Sequence, residues 1–403
     1  MMVNSVDLPK ITEDLAAISG HEQVCLREGS LCITPADTEE VAAVLRYANE
    51  NNVTVTPYGG GTKQSWGYPG QPSLILQTHR LCTVREHTWQ DMTSTVEAGC
   101  TWSSMQAALA RHHQFVALDP LWPDVATIGG VVATNDSGSL RLKYGSLRDL
   151  IIGMTLVLAD GTIARSGGKV VKNVAGYDLH KLMTGAFGTL AIITEITFRL
   201  HSIPGHTQSF TITSPDVEPL SQLLLKLLDS HLSTQSLQLR SSSDGFHLDV
   251  QLVALPEVIH DQANSLATLA RSLNLEGSSA HLNVWRARQE HFDPSKSLLV
   301  KATMLPSNIA QLTAAVHALG GTSVTQATGV MIASIPVTAS PQILQLRQKL
   351  EAAHGSLFIL QQSADMTLDP WGTLPDTFPL MRELKQRFDP HRILNRGRFL
   401  GGI

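Results

Sequence analysis

The chain has 403 residues, 43% of them hydrophobic and 16% charged, with a formal charge of −5. That length suggests two or three domains, and the composition is that of a folded globular protein and not of a disordered one. The acidic balance argues against a nucleic-acid partner, which needs a basic surface, but leaves room for a local basic pocket.

Taken in chain order, residues 34 to 52 read as a helix. Thr34 or Asp37 offers a capping oxygen, Pro35 sits near the start, and Val41, Val44, Leu45 and Ala48 recur at helical spacing. A short β-branched strand, Val53 to Thr56, runs into the glycine loop Pro57-Tyr58-Gly59-Gly60-Gly61-Thr62-Lys63. Leu74 to Leu76 and Thr93 to Val96 read as strands, and Trp102 to His113 as an amphipathic helix. Residues 126 to 145 are rich in Gly, Ser, Thr and Asn. Leu150 to Leu158 and Leu190 to Leu200 are strand-like, with Asp160-Gly161 as a turn signal.

The texture changes near Pro204, after which strands such as Phe246 to Val253 alternate with helices such as Leu220 to Ser230. A final helix, Phe378 to Phe388, precedes Asp389-Pro390 and an irregular tail. We therefore expect domains at 1–205 and 206–375, with 376–403 returning to the first. Cys25, Cys32, Cys82 and Cys100 form no C-x-x-C pair and no disulfide framework, so they read as small buried hydrophobes, not as ligands of zinc or an iron–sulfur cluster. No basic segment followed by an apolar one opens the chain, and the run Leu150 to Ala159 is about half a membrane span. The expectation is a cytoplasmic protein with no integral membrane segment.

Three loops carry candidate chemistry. Adjacent phosphates are bound well by backbone amides, which needs glycines for close approach and positive φ. Gly59, Gly60 and Gly61 supply this directly after a strand, Thr62 adds a hydroxyl, and Lys63 either adds charge or points to solvent. The pattern is neither a Walker A loop nor a Rossmann G-x-G-x-x-G leading into a helix. The second loop, Ala126 to Gly138, combines small residues with hydroxyls and suits contact with a flat ring or sugar; otherwise it is a loop packed beneath a helix. In the third, Gly185 to Glu195, a glycine turn opens onto a strand whose backbone pairs either with an adenine edge or with a neighbouring strand.

These loops, with the run Gly167-Gly168-Lys169-Val170-Val171-Lys172-Asn173-Val174-Ala175-Gly176-Tyr177-Asp178-Leu179, resemble the vanillyl-alcohol oxidase (PCMH-type) FAD-binding superfamily. Within it, the chain is most similar in character to the FAD-binding E subunits of bacterial glycolate oxidases. The resemblance covers residues 30–203 and, more faintly, the C-terminus.

It implies an α+β fold: a PCMH-type FAD-binding domain of two α+β subdomains, plus a mixed cap domain with an antiparallel sheet. It assigns Pro57, Tyr58, Gly59, Gly60, Gly61, Thr62 and Lys63 to the pyrophosphate. Pro123, Ala126, Thr127, Gly129 and Gly130 fall on the flavin side, and Thr134, Asn135, Asp136, Ser137 and Gly138 along the ribityl chain. Ala191, Ile192 and Ile193 meet the adenine, and Asn395 reaches the flavin, although Arg396-Gly397-Arg398 follows it where the family has Pro-Gly.

Some relatives attach FAD through a histidine beside the glycine loop. None lies between Pro57 and Gly70, so FAD is expected to be non-covalent. The related dehydrogenases carry a histidine-rich metal and base motif in the later domain. No H-G-D-G-N-x-H string occurs here, so neither a metal site nor a catalytic residue is assigned; His247, His281, His291, His317 and His354 are isolated, each more economically a surface or core histidine. Lys172, Asn173, Tyr177 and Asp178 are either near the substrate mouth or shape a turn before a helix Leu179 to Thr184, and Arg141 and Lys143 either neutralise phosphate or pair at the surface.

The implied function is the FAD subunit of a complex that oxidises glycolate or another 2-hydroxyacid at its CH-OH group. Its partners would be a second FAD subunit and an iron–sulfur subunit, with any contact with the inner membrane made through them. The alternatives are a non-catalytic flavin-carrying or scaffolding subunit, and a stand-alone FAD-dependent dehydrogenase of a substrate such as D-lactate.

Overall fold

A computed structural model describes residues 8–27, 29–70, 72–168, 176–280, 282–291, 297–363 and 366–403. The first sheet has the order Val24–Arg27, Ser30–Ile33, Leu74–Gln77, Val55–Tyr58, with the last two contacts parallel. The helix Thr38–Glu50 crosses over between Ser30–Ile33 and Val55–Tyr58. It begins where Asp37, not Thr34, accepts the Glu40 amide at 2.8 Å, while Glu40 takes the Ala36 amide at 2.9 Å. The two side chains thus satisfy amides that the first turn leaves open. Val41, Val44, Leu45 and Ala48 then bury against Ile33, Leu74 and Leu76. The following strand starts at Val55, later than expected, because Asn52 turns through positive φ and the Val53 amide still caps the helix at Ala48 O (2.9 Å).

A second, antiparallel sheet runs Val84–Thr88, Thr93–Glu97, Ile192–Arg199, Ile151–Val157, Ile163–Gly167. Asp160-Gly161 makes the expected turn, but onto Ile163–Gly167, a strand the sequence reading passed over. The helix Trp102–Ala110 stops short of His113, where the chain turns through positive φ. The small-residue stretch is not a plain loop. It holds the helix Ile128–Thr134, which Thr127 caps by accepting the Gly130 amide at 3.3 Å.

The third sheet has eight antiparallel strands in the order Gly277–Ser279, Thr207–Ser214, Gly245–Val253, Thr234–Ser242, Thr322–Gln326, Val330–Pro336, Ser297–Thr303, Ser356–Gln361. Successive side chains alternate between its faces. Leu237, Leu239, Leu248, Val250, Val300 and Ile359 bury against the helices Val217–Leu228, Pro256–Arg271, Ile309–Ala318 and Ser340–Ala352. The opposite face presents Gln238, Arg240, Asp249, Gln326, Leu299, Lys301 and Ile332. It meets the other sheets' loops: Gln326 donates to Ser137 O at 3.0 Å, and Leu299 and Ile332 pack with Trp66 and Leu121.

The helix Phe378–Phe388 carries the chain back. Leu394 bridges Val55 in parallel, and Ile393 and Leu394 are buried in the first core. Lys385 and Asp389 lock this return. Lys385 Nζ donates to Asp389 (2.6 Å), Thr189 O (2.7 Å) and Leu394 O (2.9 Å), and Asp389 accepts the Ile393 and Leu394 amides. Of the cysteines, Cys32 and Cys100 are buried, but Cys25, on the strand that edges its sheet, and Cys82, in a connection, are exposed. The uniform buried reading of all four is corrected accordingly.

Candidate functional site

The glycine loop leaves strand Val55–Tyr58 and lies against the segment that starts the helix Ile128–Thr134. A Cβ at Gly59 would run into the Thr127 side chain, and one at Gly60 into the Val125 carbonyl. Close packing therefore requires glycine at both positions, and Gly61 adds a positive φ of 70°. From the far side, Gly185, Phe187 and Gly188 all adopt positive φ and bring the chain against Pro57 and Asn395. Asn395 Nδ2 donates to Phe187 O at 2.5 Å.

These segments enclose a cavity. Pro57 through Lys63, Thr127, Gly129, Gly130, Thr134, Ala191, Ile192, Ile193 and Asn395 line it. So do Gln64, Thr78, Ala98, Phe187, Gly188 and Arg398, none of which the sequence reading named as site residues.

Six anticipated residues do not line it. Ala126 is buried, and its carbonyl accepts the Trp102 amide. Pro123 accepts the Ser103 amide and faces a separate surface depression beside Trp285. Asn135 is the left-handed cap of the helix Ile128–Thr134. Ser137 turns its carbonyl to Arg288 and Gln326 (3.0 Å each), and Gly138 is packed against the Asp119 carboxylate.

Asp136 is the most consequential of the six. It ion-pairs with Lys63 Nζ (3.3 Å) and Arg288 Nη1 (3.5 Å) and accepts the Leu121 amide at 2.8 Å. Burial pushes its carboxyl up, but Lys63, Arg288 and the Leu121 amide outweigh that and hold it below the usual carboxylate range. Lys63 is therefore an internal cation, lying over the rings of Trp66 (5.7 Å) and Trp122 (5.4 Å), and not a solvent-facing one. Arg288 also donates to Asp119 O (2.5 Å). Lys301, on the large sheet, has its ammonium pushed down by burial, partly countered by Asp136 and reinforced by Arg288 and Lys63. Lys63, Arg288 and Lys301 thus gather between the cavity and the large sheet. Beside them Trp66, Leu121, Leu299, Ile332 and Leu360 pack as an apolar cluster, with Trp122 and Phe187 at its edge.

Among the described residues no histidine lines the cavity, and no three His, Cys, Asp or Glu side chains form a metal-binding group. His247 contacts Ser242 and Asp244, His291 contacts Thr322, His317 lies against Phe246, and His354 sits in a positive-φ turn. His281, Lys172 and Asn173 lie outside the described residues. Tyr177 is exposed, and Asp178 pairs with Lys181 at 2.6 Å beside the helix Leu179–Met183. Arg141 and Lys143 sit in the turn Arg141–Tyr144, off the cavity wall. No helix among the described residues is long and apolar enough to cross a membrane.

A cavity lined by glycines and threonines, with the buried cations Lys63 and Arg398 in its wall, fits a dinucleotide whose diphosphate is taken up by backbone amides. Comparison with known proteins agrees. Residues 30–167 match the family described as an FAD binding domain. The chain is 34% identical over 209 residues to a mitochondrial D-lactate dehydrogenase [cytochrome] of Arabidopsis thaliana, covering 51% of this chain and 36% of that one. It is 32% identical over 207 residues to the glycolate oxidase subunit GlcD of Bacillus subtilis (51% and 44%), and 33% over 190 residues to a D-2-hydroxyglutarate dehydrogenase of Xanthomonas citri (47% and 40%). The matched segment therefore spans less than half the length of these relatives. Among solved structures, p-cresol methylhydroxylase with substrate bound superposes with a TM-score of 0.78 at 15% identity, covering 98% of this chain and 97% of that one. An alkyldihydroxyacetonephosphate synthase superposes at 0.74 and 17%, covering 98% and 87%.

Proposed function

Because the chain carries an FAD-binding domain and has the PCMH-type fold, we propose that it is an FAD-dependent oxidoreductase of 2-hydroxyacids. In this reading it serves as the FAD-binding subunit of a cytoplasmic glycolate oxidase or dehydrogenase complex. The observation that carries the reading is the gathering of Lys63, Arg288 and Lys301 where the cavity meets the large sheet. Relatives that share the FAD-binding region are named for D-lactate, glycolate and D-2-hydroxyglutarate, all 2-hydroxyacids. A buried cation cluster is what a carboxylate-bearing substrate needs for orientation. Asp136 answers Lys63 and Arg288, whereas Lys301 makes no hydrogen bond or ion pair with a described residue, so it is the cation available to a substrate carboxylate.

Bound FAD would supply the two-electron acceptor. The chain's part is to seat the diphosphate on the amides of Gly59 to Gly61, to keep water out with Trp66, Trp122 and Ile332, and to hold the carboxylate. Residues 1–205 and 376–403 form the cofactor unit in this reading, and 206–375 the substrate or partner unit. Electrons leave through proposed partners, a second FAD subunit and an iron–sulfur subunit. With no histidine between Pro57 and Gly70, FAD is held non-covalently.

A specific feature favours a second reading, in which the flavin only relays electrons. The apolar cluster of Trp66, Leu121, Leu299, Ile332 and Leu360 fills the space facing the large sheet, and no histidine in the described wall stands ready as a base.

Anaerobic mixing of the purified chain with glycolate or D-lactate separates the two. Loss of the oxidised-flavin absorbance is expected for direct oxidation, and heat denaturation of the same sample should leave the yellow colour in the supernatant. Bleaching that appears only after co-expression with partner subunits would replace the first reading by the second.

A further inference from the structure

Among the buried cations, Lys63, Arg288 and Lys385 each face a carboxylate in an ion pair, and Arg347 and Lys301, though in none, have carboxylates acting on them, Asp369 and Glu351 on the first and Asp136 on the second. Arg398 has neither. It is 7% exposed and lines the cavity beside the glycine loop. Its Nε donates to Trp66 O (3.2 Å), Nη1 to Gln64 Oε1 (2.6 Å), and Nη2 to Lys63 O (2.7 Å) and Gln64 O (3.0 Å). All four acceptors are neutral. A guanidinium has five N–H donors, so one on Nη1 is left over. Burial alone pushes the group down to about 10, with no carboxylate acting against it. An arginine kept in a dry wall without a counter-ion is expensive, because the protein's own dipoles replace only part of its hydration. That arrangement makes sense when the counter-ion belongs to something else that occupies the cavity.

The residues it grips identify the counter-ion. Lys63 and Gln64 continue directly from Gly59, Gly60, Gly61 and Thr62, the stretch whose amides suit a diphosphate. Lys63 already has Asp136 as its partner.

We propose that Arg398 is a binding residue for the diphosphate of FAD, its charge being answered only when that dianion rests on the glycine loop, while its carbonyl bonds fix the loop from Lys63 to Trp66. This does not depend on the 2-hydroxyacid reading, since any reaction of the flavin leaves the diphosphate where it is.

The test uses apoprotein of the full chain, titrated with FAD by flavin fluorescence and with ADP as a competitor that carries the diphosphate without the ring. Arg398→Gln should raise both dissociation constants about tenfold or more, a charge-assisted contact being lost, while the reduction potential of bound flavin stays at the wild-type value. Arg398→Lys, which keeps the charge but not the fork, should stay within about threefold at pH 7. Its ADP affinity should then fall by about tenfold as pH rises from 7, with the introduced amine, buried in the same wall, losing its proton at a lower pH than the wild-type guanidinium and the wild-type affinity falling later.

Equal losses in the two variants at pH 7 would reduce Arg398 to a loop scaffold. A lowered reduction potential with unchanged ADP affinity would hand the charge to the reduced ring instead. If the glutamine variant fails to fold by circular dichroism, the pH dependence of the lysine variant decides, and a flat profile there overturns the proposal.

Discussion

Asp136 shows how a single residue changes meaning between sequence and structure. In the sequence it sits in a polar run, Thr134-Asn135-Asp136-Ser137, that suits a cofactor's sugar chain. In the folded chain it is the anion that lets Lys63 and Arg288 be buried together. The partners come from residues 63 and 288, and no local pattern announces either. Arg398 was missed for the same reason: its acceptors lie more than 330 positions away.

His291 yields a prediction at this scale. Its ring is pushed down to about 4, first by burial and then by Arg240, and Thr322 bonds its Nδ1 at 3.0 Å. The unfolded histidine takes up its proton near the ordinary value of 6.5. Between about pH 6.5 and pH 4 the unfolded state therefore binds more protons than the native state, and stability falls as pH falls. Urea melts should lose about 2 kcal/mol from this group between pH 7 and 4.5. His291→Gln should flatten that slope, and an unchanged slope would show that other groups dominate it.

At the scale of elements, what could be read was what local chemistry enforces. The helix Thr38–Glu50 announces itself by its cap and its apolar spacing, and the turn at Gly161 by its dipeptide. The helix Ile128–Thr134 was not legible, because Gly129, Gly130 and the β-branched Val131 and Val132 have poor intrinsic helix propensity. Packing overrides that. Gly129 must be small because a Cβ there would lie 3.0 Å from the Ala98 Cβ, so the residues that weaken the helix are the ones that let it approach the second sheet and the cavity.

The glycine loop reads in the sequence as an element of close approach, but the protein surface it packs against is not visible there. It is the Thr127 cap and the Val125 carbonyl, as much as any ligand. Gly60→Ala should therefore act in two ways: FAD affinity should drop by about tenfold or more, and the melting temperature of the apoprotein should fall as well. Weaker FAD binding at an unchanged apoprotein melting temperature would mean that the Val125 contact yields without cost.

At the scale of the molecule, the α+β architecture and the eight-stranded sheet follow the expected alternation of strands and helices after Pro204. The sheet's cavity-side face was the least legible part, because its polar and apolar side chains serve a partner surface from elsewhere in the chain. The Lys385–Asp389 lock that holds the C-terminal tail has no signature in the sequence.

Asp389→Asn should break that lock. The change leaves the Lys385 ammonium buried without its charge partner, and loss of one member of such a pair costs about 3–5 kcal/mol. Scanning calorimetry with and without FAD checks this. Both the transition temperature and the shift produced by FAD should shrink, because Asn395 follows directly on the residues Asp389 holds. A normal FAD-induced shift in a destabilised variant would separate the tail's anchoring from cofactor retention.

That tail also has a consequence for the order of events during biosynthesis. The cavity draws on residues 57–64 at one extreme and on Asn395 and Arg398 at the other. While a ribosome is still translating the large sheet, the glycine loop has emerged but the far wall has not. A nascent chain can therefore form its first core and still have no closed seat for the dinucleotide. FAD capture becomes a late event that awaits the emergence of residue 398 from the exit tunnel.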